Sequence, residues 1–412
     1  MPPTGAAHSV PGTYRSLAAA VLAATALLAG CVSAGPEIPG AHADGSDPAA
    51  AKRKPTKVVM LLPLSMTGQT AAVAKGLKQA GELALFDRDN PSVQLIVKDD
   101  KGTPEGAAAA AEDAVKEGAE LILGPLFAPS VEAAGPVARR AGIPVIAFSN
   151  DRRVAGNGIY LFGFFAEPEI ERIVAFAAAR GSARYAAMIP DDEHGKTTEE
   201  IFRDAVARAG GEVVLVVPYG AHASRMLEPT KRLVEGVRGF DTAGQPVDTV
   251  FLPGGPHNLP SLGPLLSYAN MDTRKIKPIG TGTWDYPTIG RETAFVGGWF
   301  PAPDPRGWSE FAPRFAKTYG TSPPRIASLA YDAVSIAIVL STGPQGARFA
   351  AANLTRPAGF TGVDGPVRLH ANGIAERGLA VLEVHKLGPR VVDPVPGTFG
   401  SAQTSAGPRR LR

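Results

Sequence analysis

Val58-Val59-Met60-Leu61-Leu62 is a continuous apolar run, and the segment after it, Gln69–Asp89, has apolar residues at helical spacing. Apolar runs without polar alternation are typical of strands buried on both faces of a parallel sheet. The alternation continues with strand Val93–Val97, helix Pro104–Glu117, strand Leu121–Leu123, helix Pro129–Ala141 and strand Val145–Phe148. We therefore predict a parallel sheet covered by helices.

A second series of the same kind follows. Its members are helix Ile170–Arg180, strand Tyr185–Ile189, helix Thr197–Ala209, strand Val213–Val217, helix Met226–Val237, strand Thr249–Leu252, helix Leu259–Ala269 and strand Pro278–Gly280. Two more helical segments, Trp308–Tyr319 and Ala327–Leu340, come after it. The fold class that this order predicts is α/β, with two doubly wound parallel-sheet lobes that face each other across a cleft.

Ligands of open parallel sheets bind outside the carboxyl ends of the strands, next to helix N-termini. This rule selects the loops Ser65–Gly68, Gly124–Ser130, Ser149–Asp151, Asp191–Lys196, Gly254–His257 and Thr283–Tyr286. Ser65, Thr67, Ser149 and Asn150 supply short hydroxyl and amide groups there, which suit an anionic or amide-bearing ligand. Helix capping explains Ser65, Thr67 and Ser149 equally well.

Two further cleft residues are predicted in the second series. His194 ends the densest polar cluster, Asp191-Asp192-Glu193-His194, but consecutive side chains diverge, so we predict no metal site. Trp284, with Tyr286 close by, either stacks on a ligand or fills the core.

The N-terminus reads as a secretory leader. Leu17–Leu28 is too short to span a bilayer, and it follows Arg15. Leu28-Ala29-Gly30-Cys31 resembles the bacterial lipobox, which implies a signal peptide at 1–30, lipidation of Cys31 and a flexible tether at 31–56. The alternative is a plain signal peptide in which Cys31 has no role.

Composition and the absence of known motifs argue against several classes of function. Without residues 1–30 the chain has 41 basic and 39 acidic residues, so nothing points to nucleic acid. Cys31 is the only cysteine, and the sequence contains neither a Gly-x-Ser-x-Gly nor a His-Glu-x-x-His motif. We therefore expect no enzyme, metal or cofactor, although a triad of Ser149, His194 and an aspartate stays open at this point.

The order of motifs resembles the type I periplasmic binding fold over residues 57–388. The motifs that carry the resemblance are Leu61–Gly68, Gly124-Pro125-Leu126, Gly142–Ile146, Tyr331-Asp332-Ala333 and Phe360–Gly365. The resemblance implies two lobes joined by a hinge that closes on a small molecule. We expect lobe 1 at about 57–165 and 284–345, lobe 2 at about 166–283 and 346–388, and a disordered tail at 389–412.

Within this superfamily, Tyr160–Glu169 and Met188–Gly195 are similar to the penicillin-binding protein activator lipoproteins. That resemblance implies a non-catalytic activator of a peptidoglycan synthase, anchored by lipid at the periplasmic face of the outer membrane or, alternatively, of the inner membrane. The alternative function is the substrate-binding lipoprotein of a branched-chain amino-acid or amide ABC transporter, with a permease as partner. Against amino-acid binding, Asp151 would repel a ligand carboxylate unless it were protonated or paired.

Overall fold

The computed structural model of the protein describes residues 54–88, 92–220 and 222–396. The predicted signal peptide, Cys31 and most of the predicted tether lie outside the described residues, as does the end of the tail from residue 397. Within the described ranges, no helix combines the length and the apolar character needed to cross a membrane.

The first series forms a parallel sheet of five strands in the described part of the chain, in the order β2-β1-β3-β4-β5. Its elements are β1 (Thr56–Leu62), α1 (Gly68–Arg88), β2 (Val93–Asp99), α2 (Pro104–Lys116), β3 (Leu121–Leu123), α3 (Ala128–Arg140), β4 (Val145–Ala147) and β5 (Ile159–Leu161). Val58 to Leu62 are fully buried between β2 and β3. Helices cover both faces of such a sheet, and this explains why the run has no polar alternation.

The second series builds the other sheet. Its elements are α4 (Ala166–Ala178), β6 (Arg184–Pro190), α5 (Glu193–Arg208), β7 (Glu212–Tyr219), α6 (Leu227–Thr242), β8 (Thr249–Phe251), α7 (Leu259–Tyr268), β9 (Lys277–Ile279) and β10 (Trp299–Ala302). Strands β6 to β10 run parallel to one another. The mixed α/β fold with parallel sheets is therefore confirmed.

After β10 the chain returns to the first sheet. It forms α8 (Pro305–Tyr319), α9 (Ala327–Ser341), α10 (Ala351–Leu354) and an antiparallel sheet of β11 (Phe360–Gly362), β12 (Gly365–Leu369) and β13 (Ala375–Arg377). Helix α9 is buried almost throughout against α1. Side chains from Phe311 to Ala375 share one hydrophobic core with the five-stranded sheet.

The chain then crosses back and ends at the other sheet. Strands β14 (Ala380–Glu383) and β15 (Arg390–Asp393) extend it antiparallel, giving the order β15-β14-β10-β9-β8-β6-β7 in the described residues. The prediction of a disordered tail from residue 389 is therefore wrong for residues 390–393, because these residues pair with β14.

The predicted lobe boundaries also need correction. β10 pairs with β9 and β14, so residues 284–302 belong with the second sheet, whereas residues 346–377 pack with the first. Among the described residues, the chain passes between the two sheets at 162–165, 303–304 and 378–379. We call these the crossing segments, and we call the bodies around the five-stranded and the seven-stranded sheet lobe 1 and lobe 2.

Candidate functional site

The predicted cleft loops follow the carboxyl ends of their strands. In lobe 1 they come after β1, β3 and β4, and in lobe 2 after β6, β8 and β9. Each sheet is parallel over these strands, so the loops of one lobe share one edge of its sheet. We refer to the loops at these two edges as the candidate cleft.

Ser65 and Thr67 are both exposed in the loop between β1 and α1. The backbone N–H of Ser65 donates to Asp99 Oδ1 over 3.3 Å, which ties this loop to the end of β2. Thr67 immediately precedes Gly68, the first residue of α1. The Thr67 side chain is therefore open to a ligand from the lobe 1 side, whereas the exposed Ser65 side chain also hydrogen-bonds to Asp99.

Ser149 and Asn150 follow β4 but differ in their surroundings. Ser149 is buried, and its Oγ accepts the N–H of Asp151 over 3.1 Å. This bond fixes the turn, so Ser149 serves the loop and does not cap an α-helix. Asn150 is exposed beside it, and no side chain or backbone group of the described residues hydrogen-bonds to its amide.

Asp151 is paired with a cation. Arg153 donates from Nε to Oδ1 over 2.9 Å and from Nη2 to Oδ2 over 2.6 Å. The guanidinium holds the pKa of Asp151 below its ordinary value, so the carboxylate stays ionised but locally neutralised. The predicted repulsion of a ligand carboxylate therefore loses its basis.

The N-terminus of α3 is an uncapped helix end in lobe 1, although Pro129 in its first turn contributes no N–H. Its N-cap residue is Phe127, which has no side-chain oxygen to accept the free N–H groups of the first turn. Such groups carry partial positive charge and bind anions. By contrast, the N-terminus of α5 in lobe 2 is capped, because Asp192 Oδ1 accepts the N–H of Gly195 over 2.7 Å.

His194 is exposed in the first turn of α5. Among the described residues no hydrogen bond joins it to Ser149, whose hydroxyl oxygen already serves the turn at Asp151. The structure therefore lends no support to the Ser149–His194 triad. Within the same residues, no group of three or more histidine, cysteine, aspartate or glutamate side chains is arranged to hold a metal ion.

Trp284 is a core residue and not a cleft residue. Its side chain is fully buried in lobe 2 against Phe295 and Phe300, and Nε1 donates to the carbonyl of Leu252 over 3.0 Å. Gly280 has no side chain because a Cβ there would lie 2.1 Å from the indole ring. The core alternative from the sequence is therefore correct for Trp284.

The lobe 2 wall contains hydrogen bonds that sequence reasoning missed. Asn258 accepts the N–H of Gly255 and donates to the hydroxyl of Tyr219, both over 2.8 Å. Thr283 donates from its hydroxyl to the carbonyl of Gly254. These polar side chains therefore hydrogen-bond to groups of the protein itself. The only sequence signal for this arrangement is Gly254-Gly255, where the backbone comes close to Asn258 and Thr283.

Asp100 is another residue that the sequence pattern does not single out. It is fully buried at the end of β2, where Oδ1 accepts the N–H of Gly102 over 2.8 Å and Oδ2 has no partner among the described residues. Burial raises its pKa to about 6. This carboxyl group is therefore partly protonated near neutral pH.

A charged cluster lies beside the first and third crossing segments. Arg377 is buried at the end of β13, its Nε donates to the carbonyl of Gly163, and its guanidinium carbon lies 4.4 Å from the centre of the Phe162 ring. Its Nη1 is 3.9 Å from Asp332 and 3.9 Å from Asp364. Burial raises the pKa of Asp332, and the neighbouring Asp364 raises it further.

Glu169, in the first turn of α4, belongs to the same region. Its Oε2 accepts the N–H of Gly282 over 2.9 Å. Burial raises the pKa of Glu169 to about 7, and the Gly282 N–H and Arg325 offset only part of that effect. The folded protein therefore holds a proton here that an unfolded chain releases near pH 4.3.

Glu169→Gln should change how stability depends on pH. Because the folded state binds the extra proton, stability should fall as pH rises from about 4.5 to about 7, by on the order of 1–3 kcal/mol. The variant should therefore be the more stable protein at pH 8 and show a flatter decline of Tm between pH 5 and pH 8. Burial also raises the pKa values of Asp332 and Asp285, so the stability of the variant should still fall somewhat with rising pH. Equal slopes in the two proteins would contradict the assignment.

A cavity of about 440 Å³ opens at the opposite edge of the lobe 2 sheet. It lies before β8 and β9, with Val234, Val237 and Met271 among its apolar lining and Asp248 and Lys275 among its charged lining. Within this lining, Asp248 Oδ2 already accepts the N–H groups of Ala183 and Arg184. The cavity is separate from the candidate cleft.

The fold recurs in solved structures. A putative branched-chain amino acid ABC transporter from Rhodospirillum rubrum is similar with a TM-score of 0.69 at 20% identity, over 82% of this chain and 100% of that one. A solute binding protein of an ABC transporter from Rhodopseudomonas palustris, in complex with 3,4-dihydroxy benzoic acid, gives 0.57 at 18% identity, over 83% and 99%. A branched-chain amino acid transporter substrate binding protein from Streptococcus pneumoniae, in complex with isoleucine, gives 0.59 at 17% identity, over 83% and 100%.

At these identities the structural similarities establish the fold alone. No curated protein matches the sequence. A family model described as periplasmic binding protein matches residues 55–389, which include all of the crossing segments and every strand of both lobes except β15. The chain therefore belongs to the periplasmic binding protein family.

Proposed function

We propose that the protein is a non-catalytic periplasmic receptor that binds a small anionic or amide-bearing solute between its lobes and presents it to an ABC permease. The observation that carries the proposal is the pairing of Asp151 with Arg153. This pairing leaves the exposed Asn150 and the uncapped N-terminus of α3 as the groups that meet an anion in lobe 1. The structurally similar transporter proteins are consistent with this class of function.

The mechanism is a population shift between an open and a closed arrangement of the lobes. A ligand that contacts both lobes only in the closed form stabilises that form by its differential affinity. Ser65, Thr67 and Asn150 would supply hydroxyl and amide contacts from lobe 1, and His194 would supply an imidazole from lobe 2. Ser149 would act by fixing the turn that presents Asn150.

A ligand screen by thermal unfolding tests this function. Purified protein is mixed separately with leucine, isoleucine, an aliphatic amide and 3,4-dihydroxybenzoate, the last two covering the amide and aromatic-acid classes. A true ligand at one hundred times its Kd should raise the unfolding free energy by about 2.7 kcal/mol. Asn150→Ala should reduce the shift, whereas Gln245→Ala, an exposed amide before β8, should leave it unchanged. No shift with any probe would count against the receptor.

The second candidate is the penicillin-binding protein activator. The lobe 2 wall favours it, because Asn258, Tyr219 and Thr283 bond to protein groups and Trp284 is withdrawn into the core. A cleft that needs no ligand leaves the outer surface to contact a peptidoglycan synthase. In that case the ligand screen should stay negative, and the protein should raise the polymerisation rate of a purified penicillin-binding protein.

The location that fits both candidates is the periplasm, in accordance with the family. Lipidation at Cys31 would hold the protein at a membrane, and the outer membrane is the proposed site. A membrane-held receptor and a membrane-held activator differ in the partner they meet and not in the anchor.

A further inference from the structure

The guanidinium of Arg325 is held by lobe 1. Arg325 lies just before α9, where Nη2 donates to Asp364 Oδ1 over 2.7 Å and Nη1 donates to Ser328 Oγ over 3.2 Å. Asp364 is fully buried and also accepts the Ser328 hydroxyl over 2.6 Å. Two side chains of lobe 1, which also bond to each other, therefore define the position of this cation.

The same guanidinium is enclosed by aromatic rings at the hinge. Its central carbon lies 4.6 Å from the ring centre of Trp308, on α8, and 5.1 Å from that of Phe164, in the first crossing segment. Such positions over aromatic rings attract a cation and restrict its movement. Arg325 is therefore fixed next to the segment about which the lobes turn.

The remaining side of the guanidinium faces lobe 2. Nε lies 3.6 Å from Asp285 Oδ2, and the two side chains are each about one-third exposed. Asp285 follows Trp284, whose ring is anchored in the lobe 2 core, so its position moves with that lobe. The Arg325–Asp285 pair thus joins two rigidly held groups, one from each lobe.

We propose that Arg325 is an interlobe latch: its ion pair with Asp285 stabilises this arrangement of the lobes. The pair must break when the lobes rotate relative to each other. An interaction present at one interlobe angle and absent at another shifts the population toward the first. A second pair, Arg152 with Glu167, also joins the lobes, but Glu167 lies two residues beyond the first crossing segment. Its position depends less on the rotation of lobe 2 than that of Asp285.

The latch rests on the lobe movement in the proposed function but needs no ligand. The test therefore uses ligand-free protein, so that a failed latch and a failed receptor give different results. Spin labels at Glu105→Cys in lobe 1 and Lys196→Cys in lobe 2, both exposed positions, report the interlobe distance when Cys31 is replaced by serine. The measurement is the distance distribution by pulsed electron resonance.

Asp285→Asn should change the ratio of the interlobe populations by up to about fivefold, the upper end for a partly exposed ion pair. The matched control is Asp393→Asn, which breaks the Arg172–Asp393 pair within lobe 2, and its distribution should equal that of the parent. Parent and Asp285→Asn distributions that coincide would overturn the latch.

A salt series provides a second measurement that needs no change at the latch. Raising NaCl from 0.1 to 1 M screens a partly exposed pair, so the parent distribution should move toward that of Asp285→Asn. The variant, which lacks the pair, should move less. Equal salt shifts in the two proteins would also overturn the proposal.

Discussion

Trp284→Ala is expected to cost about 3–5 kcal/mol of unfolding free energy. The indole ring is fully buried, packs against Phe295 and Phe300 and donates to the carbonyl of Leu252. Truncation removes the apolar contacts, leaves a cavity beside Gly280 and deprives the buried carbonyl of its donor. Urea unfolding followed by circular dichroism measures the loss.

The matched control for this change is Tyr268→Ala. Tyr268 is an aromatic residue of the same lobe but is 71% exposed, so its removal should alter stability by no more than about 0.5 kcal/mol. If Trp284→Ala lost ligand affinity while keeping parental stability, Trp284 would be a cleft residue and its core role would be refuted. This comparison separates the two roles that the sequence left open.

Asp364→Ala should destabilise the hinge by a similar amount, about 3–5 kcal/mol. Asp364 is the buried carboxylate that holds Arg325 at 2.7 Å and lies 3.9 Å from Arg377. Without it, Arg377 keeps one hydrogen bond to the carbonyl of Gly163 and faces Asp332 alone. A buried cation that has lost its partner is costly because it cannot regain its hydration.

Glu199→Ala serves as the control for Asp364→Ala. Glu199 pairs with Arg203 one turn further along α5, and both side chains are substantially exposed. Pairs of this kind contribute about 0.3–0.5 kcal/mol. A loss below 1 kcal/mol in Asp364→Ala, measured by urea unfolding, would mean that the other hinge groups compensate for the missing carboxylate.

The hinge cluster links stability to lobe movement. Asp364 ties Arg325 to lobe 1, and Arg325 in turn faces Asp285 of lobe 2. Asp364→Ala should therefore alter both stability and the interlobe distance, whereas Asp285→Asn should alter mainly the distance. This difference arises because Asp364 is fully buried and Asp285 is partly exposed.

Apolar pattern along the chain was sufficient to predict the α/β fold and the helices and strands of the two series. Val58 to Leu62 read as a buried strand because a strand covered on both faces needs an apolar side chain at every position. Local pattern also located the carboxyl-end loops, since each lies between a strand and the next helix. Local pattern does not locate the lobe boundaries near residues 284 and 346. The strands β10, β14 and β15 are short, and only their pairing with neighbouring strands assigns them to the lobe 2 sheet.

The sequence by itself determined the succession of strands and helices, the loops that carry Ser65, Thr67, Asn150 and His194, and the leader-like N-terminus. Only the tertiary structure decided that Trp284 is core and that Arg325, Arg377, Asp332 and Asp364 meet at the hinge. The physical reason is the separation along the chain of the residues that interact. Hydrophobic periodicity is local to one element, whereas burial and ion pairing depend on partners that the chain brings together from distant positions.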